Sequence, residues 1–177
     1  MITIRNDDFD PRINLEMTKY LHEEYMKREI PFTIAVNSAI SSRIGFNKDV
    51  VDYVNNTDPK TWDIQLHNWS HDRYWAMSHV DLYAYIYANL QMTKQTFVHS
   101  NPTILYPPWN EKSDIMENVC KELGLTIRTS QKTIRELLKD WNLGDETLFF
   151  YHWWTKDDVD IIPEILDKVK RLNSSIS

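Results

Sequence analysis

The chain has 177 residues, 42% hydrophobic and 26% charged, and its 26 acidic and 20 basic side chains leave a net charge of −6. That length fits one domain over 1–177, the scattered Lys and Arg lack the basic stripe a nucleic-acid partner needs, and no apolar run reaches the ~18 residues of a membrane span. Three glycines in the whole chain exclude the GxGxxG and Walker loops that cradle phosphates.

Short β-branched or apolar runs alternate with longer amphipathic stretches, the pattern of βα units around a mostly parallel sheet. Strands are expected at 2–6, 31–36, 62–67, 103–106, 125–129 and 147–152. Helices are expected at 15–28, 48–56, 80–99, 112–123, 131–140 and 158–172, where apolar residues recur at i, i+3, i+4 and i+7. Six units fall short of the ~250 residues of an eight-stranded barrel. Either an open doubly wound sheet or a closed barrel could be built from six units, and the expected α/β fold is a trimmed, incomplete (β/α) barrel. Pro163 sits in the first turns of the last helix, where proline is tolerated only near the start. The stretch 37–47 is the longest without periodicity and is expected to be a functional loop. Cys120 lies at helical spacing with Met116, Val119 and Leu123, as a core residue does. His22, beside Glu23 and Glu24, is expected in solvent, and His79 at the surface.

Four segments carry chemistry. In RNDDFD, Asp7 and Asp8 follow the first strand, at the rim where β/α folds place their active sites. Neighbours on extended backbone point in different directions, which lets one carboxylate bind a metal and the other act as a base. The plainer reading is a solvated turn with Asp10 capping the next helix. In HNWSH, His67 and His71 stand at i and i+4, a spacing that chelates a divalent ion, or they are two unrelated surface imidazoles. In LYPPWN, Pro107 and Pro108 fix the backbone so that the Trp109 amide can point inward as a donor. In FFYHWW, His152 ends the last strand. All four fall at carboxyl ends of expected strands, and Asp8, His67 and His71 supply three ligands with a position left for water, as in catalytic zinc sites. Soft ligands are absent, so Zn2+ is the default, with Co2+, Ni2+ or Mn2+ acceptable. Trp69, Trp75, Trp109, Trp153 and Trp154 lie within four residues of these positions, and aromatic faces there suit the apolar faces of sugar rings.

This order of an acidic pair, HxxxH, a proline–aromatic turn and a late His resembles the NodB-like polysaccharide deacetylases of carbohydrate esterase family 4, whose pattern runs roughly TFDDG, H[ST]xxH, RPPYG, WxxD and LxH. The resemblance implies a distorted, incomplete (β/α) barrel of six to seven strands and metal-dependent removal of N- or O-acetyl groups from a carbohydrate. Asp7 is then the base, Asp8, His67 and His71 the metal ligands, Trp109 the source of the oxyanion-stabilising amide and His152 the acid. Tyr106, Pro108, Trp69, Trp153 and Arg128 join Trp109 as expected substrate-side residues. The chain departs from the pattern at several places. Tyr106 stands where the family has Arg, Asp10 and Asn110 replace glycines, Asn68 replaces Ser or Thr, and no WxxD segment is found. Arg128 is expected to be a displaced cation that orients the base. The lost Arg and glycines leave a second enzyme reading, hydrolysis of a small non-sugar amide, and a third is a glycan-binding relic without catalysis. Met1 leads into ITIRNDD with no basic patch or apolar signal core, so the chain is expected to be soluble and cytoplasmic, or associated with a phage virion.

Overall fold

The computed structural model describes residues 2–40, 43–70, 74, 76–139 and 147–175. In chain order the elements are β1 (Thr3–Phe9), α1 (Leu15–Met26), β2 (Phe32–Asn37), β3 (Ala39–Ile40), β4 (Arg43–Ile44), α2 (Lys48–Asn56), β5 (Trp62–Asn68), α3 (His79–Thr96), β6 (Ile104–Leu105), α4 (Asp114–Glu122), β7 (Thr126–Ile127), α5 (Ile134–Lys139), β8 (Leu148–His152), α6 (Lys156–Asp160) and α7 (Ile162–Ser174). Single 3-10 turns cover Pro59–Thr61 and Pro108–Asn110. None of the described helices is long and apolar enough to cross a membrane.

Six parallel strands form one sheet in the order β7-β6-β5-β2-β1-β8, curled into a half-barrel with helices outside. The segment after β7 runs to the opposite edge. There Ser130 Oγ donates to the Leu148 carbonyl at 2.5 Å, Phe150 N–H donates to the Lys132 carbonyl at 3.2 Å, and Thr133 bridges Phe150. This strand-like stretch is what brings the two sheet edges into one curled wall.

Residues paired across parallel strands share a face. Ile4, Ile34, Ile64 and Phe149 face the helices and bury against Leu21 and Tyr25 of α1, Val50 and Val54 of α2, and Ile165, Leu166 and Val169 of α7. Leu66 and Leu105 join a second cluster with Ile86 and Leu90 of α3 and Met116, Val119 and Cys120 of α4. The opposite face carries Arg5, Thr33, Asp63 and Phe150 in one register layer. Its interior is thus polar where a full barrel would be filled with branched aliphatics.

Three expectations need correction. The last helix is two helices, because Pro163 has no N–H to donate and occupies the first turn of α7. Asp10 does not cap α1. Its carboxylate takes the Arg12 N–H and guanidinium, and Asn14 caps the helix by accepting from Met17 N–H at 2.8 Å. His22 is not in solvent. It is buried, stacks on Trp62 with centroids 4.2 Å apart, and shares its ring nitrogens with Tyr53 OH at 2.9 Å and Thr61 Oγ1 at 2.8 Å.

Burial lowers the His22 pKa to about 4 from 6.5. Between those values the unfolded chain binds a proton that the folded chain excludes, so stability falls as pH drops through the window. The expected loss is roughly 2 kcal/mol after allowing for solvent screening. Denaturant titrations at pH 7 and pH 4.5 check this, and His22→Gln should flatten the difference. An unchanged slope in that variant would assign the acid sensitivity to other groups.

Candidate active site

The acidic pair lies inside β1, not after it, at a break in register. Asn6 pairs with Ile34 and Phe9 with Val36, so two residues of β1 oppose Ala35 alone. Asp7 keeps the regular pairing with His152 on β8. Asp8 is the extra residue, and its φ of 56° is left-handed. A bulge re-aims a side chain, and here it turns the Asp8 carboxylate toward the mouth that Asp7 faces. The expectation that regular alternation would separate the two carboxylates is corrected accordingly. β5 repeats the device, since Val36 pairs with Leu66 and Asn37 with Asn68, leaving His67 as the extra residue.

The cluster follows from these two kinks. His67 Nδ1 lies 2.7 Å from the Tyr106 carbonyl, which can only accept, so that nitrogen carries the proton. In the neutral ring Nε2 is then an acceptor, and it faces Asp8 Oδ1 at 3.5 Å. His152 Nε2 lies 3.8 Å from Asp8 Oδ2. Asn37 Nδ2 donates to Asp8 Oδ1 at 2.8 Å, and Trp153 Nε1 donates to the Asp8 carbonyl at 2.6 Å. The Asp8 carboxylate thus lies between two imidazoles, one of them with its second ring nitrogen fixed by a main-chain carbonyl. His71 lies outside the described residues, and among the described residues no group of three His, Cys, Asp or Glu side chains gathers to hold an ion.

Asp7 is 3% exposed and Arg5 0%. Arg5 Nε lies 2.8 Å from Asp7 Oδ1, and Nη2 donates to Oδ2 at 3.0 Å. The guanidinium is seated 4.5 Å over the Tyr106 ring and 5.5 Å from that of Phe150, a favourable arrangement for a desolvated cation. The cation paired with the expected base is therefore Arg5, in place of the expected Arg128. Tyr106 is buried beneath that cation, and burial pushes its phenol up to about 12. Arg5 and Asp7 stand at i and i+2 of one strand, hence on one face. That spacing was the available signal for Arg5.

Pro107 and Pro108 carry the chain into two successive left-handed residues, Trp109 at φ 60° and Asn110 at φ 54°. The Trp109 side chain is 55% exposed and Trp154 52%, while Trp69 and Trp153 are half-buried. Trp154 packs on His152 with centroids 4.8 Å apart, and Arg12 lies 5.9 Å over Trp153. Trp75 lies outside the described residues. A cavity of about 180 Å³ lined by Trp62, Asp63, Gln65, Phe97 and His99 sits at the amino end of β5, away from this rim and its chemistry.

Residues 7–128 match the family model described as polysaccharide deacetylase. Among solved structures, a family 4 acetyl xylan esterase from Clostridium thermocellum in complex with a cobalt ion aligns at TM-score 0.70 and 17% identity, over 99% of this chain and 85% of that one. The chitin deacetylase of the fungal pathogen Colletotrichum lindemuthianum aligns at 0.74 and 13%, over 96% and 80%. BA3943, a CE4 family pseudoenzyme from Bacillus anthracis, aligns at 0.73 and 9%, over 97% of this chain and 62% of that one. No curated protein matches the sequence.

Proposed function

Because the chain belongs to the polysaccharide deacetylase family, we propose that it hydrolyses acetyl groups from a carbohydrate, with Asp7 as general base and His152 as general acid. The observation that carries this reading is the convergence on one mouth of Asp7, held by buried Arg5, with the Asp8–His67–His152 group.

Asp8 and His67, joined by His71, would hold a divalent cation, zinc first and cobalt, nickel or manganese as alternatives. Bound there, the cation supplies Lewis-acid polarisation of the acetyl carbonyl. Asp7 takes the proton of the attacking water, and Arg5 keeps its carboxylate aimed while doing so. The Trp109 main-chain N–H, on this left-handed turn, is the donor to the oxygen that gains charge in this reading. His152 returns a proton to the departing amine or alkoxide. Its ring is 27% accessible, and that partial exposure supports the role. Trp109 and Trp154, both exposed, offer faces for a sugar ring.

Acetate release from acetylated chito-oligosaccharides and acetylated xylan tests the reading, in parallel with a panel of small amides. Activity on a glycan, lost with a chelator and restored by zinc, is the expected result. Turnover confined to small amides would move the substrate, and glycan binding with no turnover at any metal load would make the chain a binding relic.

A further inference from the structure

Asn110 holds a left-handed backbone conformation directly after another left-handed residue, a sequence that disfavours side chains and suits glycine. The side chain nonetheless has two bonds to make. Its Oδ1 accepts from Arg5 Nη2 at 2.7 Å and from the Ser130 main-chain N–H at 3.0 Å. The same Arg5 nitrogen donates to Asp7 at 3.0 Å, and Ser130 is the residue that fastens the strand-like stretch to β8 through Leu148. One amide oxygen therefore touches the wall, the cation on the base, and the turn that carries the Trp109 N–H.

We infer that Asn110 is a positioning residue that locks the Pro107–Asn110 turn to the Arg5–Asp7 pair, fixing the Trp109 main-chain donor relative to the base carboxylate. The inference rests on the reading of Asp7 and Trp109 given above. Glycine at this position would relax the backbone and leave Arg5 Nη2 and the Ser130 N–H without their shared acceptor. Aspartate would keep both bonds. An acceptor shared between the base's cation and the turn is a geometric constraint, and loss of sub-ångström placement in an active site costs rate, not affinity.

The test compares wild type, Asn110→Gly and Asn110→Asp by steady-state kinetics on an acetylated chito-oligosaccharide and by amide NMR spectra of the metal-loaded protein. Asn110→Gly, with rates normalised to folded protein, is expected to lose kcat by about 10- to 100-fold with KM within about twofold, and to move the Trp109 and Ser130 amide resonances. Asn110→Asp is expected to bring the Ser130 resonance back and recover at least part of kcat. Full kcat in Asn110→Gly, or a rise in KM alone, would overturn the inference. Should the wild type release no acetate, the deacetylase reading falls, and the spectra still decide the lock: a Trp109 amide resonance unmoved in Asn110→Gly overturns it.

Discussion

Asp7→Asn is expected to reduce kcat by about 10²–10⁴-fold, the range set by a positioned general base, with KM little changed. The substitution keeps the shape of the side chain and an oxygen for Arg5, and removes the lone-pair basicity that accepts the water proton. It also leaves the fully buried Arg5 guanidinium without its counter-charge, so stability should fall as well. Rates must therefore be normalised to folded protein, measured by circular dichroism at the assay temperature. Retention of more than about a tenth of wild-type kcat would remove Asp7 from the role of base, and metal analysis of wild type and variant would show whether the ion proposed at Asp8 and His67 is bound and retained.

The second large effect concerns the other half of that pair. Arg5→Met keeps an unbranched chain to cover Tyr106 and Phe150 and leaves Asp7, 3% exposed, as an uncompensated buried carboxylate. Removing one partner of a buried pair costs about 3–5 kcal/mol, which for a chain of this size lowers Tm by roughly 6–20 °C. The double variant Arg5→Met/Asp7→Asn replaces the pair by neutral groups and should recover most of the loss, because the penalty lies in the stranded charge. Thermal melts of the four proteins make the cycle. A single-variant loss below about 1 kcal/mol, or additive losses in the double variant, would show that the interior carboxylate is solvated in solution.

The helical period and the β-branched runs carried enough information to place the six sheet strands, because burial on one or both faces writes itself into residue order. The failures were local. Pro163 in the first turns of one expected helix instead belongs to the first turn of a second one. His22 looked solvated from its acidic neighbours in sequence, whereas Trp62, Tyr53 and Thr61 reach it from elsewhere in the chain. In the candidate site, Asp7, Asp8, His67 and His152 are legible as polar residues near the carboxyl ends of strands. Arg5 is legible only through alternation along β1, which sets it beside Asp7 on the interior face, and neither the proline turn nor the fifth strand points to it. Asn37 and Asn110 were illegible as partners, since hydrogen bonds to Asp8 and to Arg5 come from separations of 29 and 105 residues. The bulges had no sequence signal, because both fall on polar residues instead of glycine.

Those two bulges have a consequence for how such a mouth arises. Without Asp8, Asn6, Asp7 and Phe9 would pair in unbroken succession with Ile34, Ala35 and Val36, and without His67, Leu66 and Asn68 would follow Val36 and Asn37 in step. Each of the two would-be ligands is thus a one-residue insertion in an otherwise regular strand. It shifts the alternation by one step, so that Phe9 stays in the helix-facing core at 0% exposure while the inserted side chain turns inward. In genetic terms a single added codon per strand turns a polar side chain into the mouth without repacking the layer behind it. Deleting that codon would remove the side chain from the mouth while sparing the sheet.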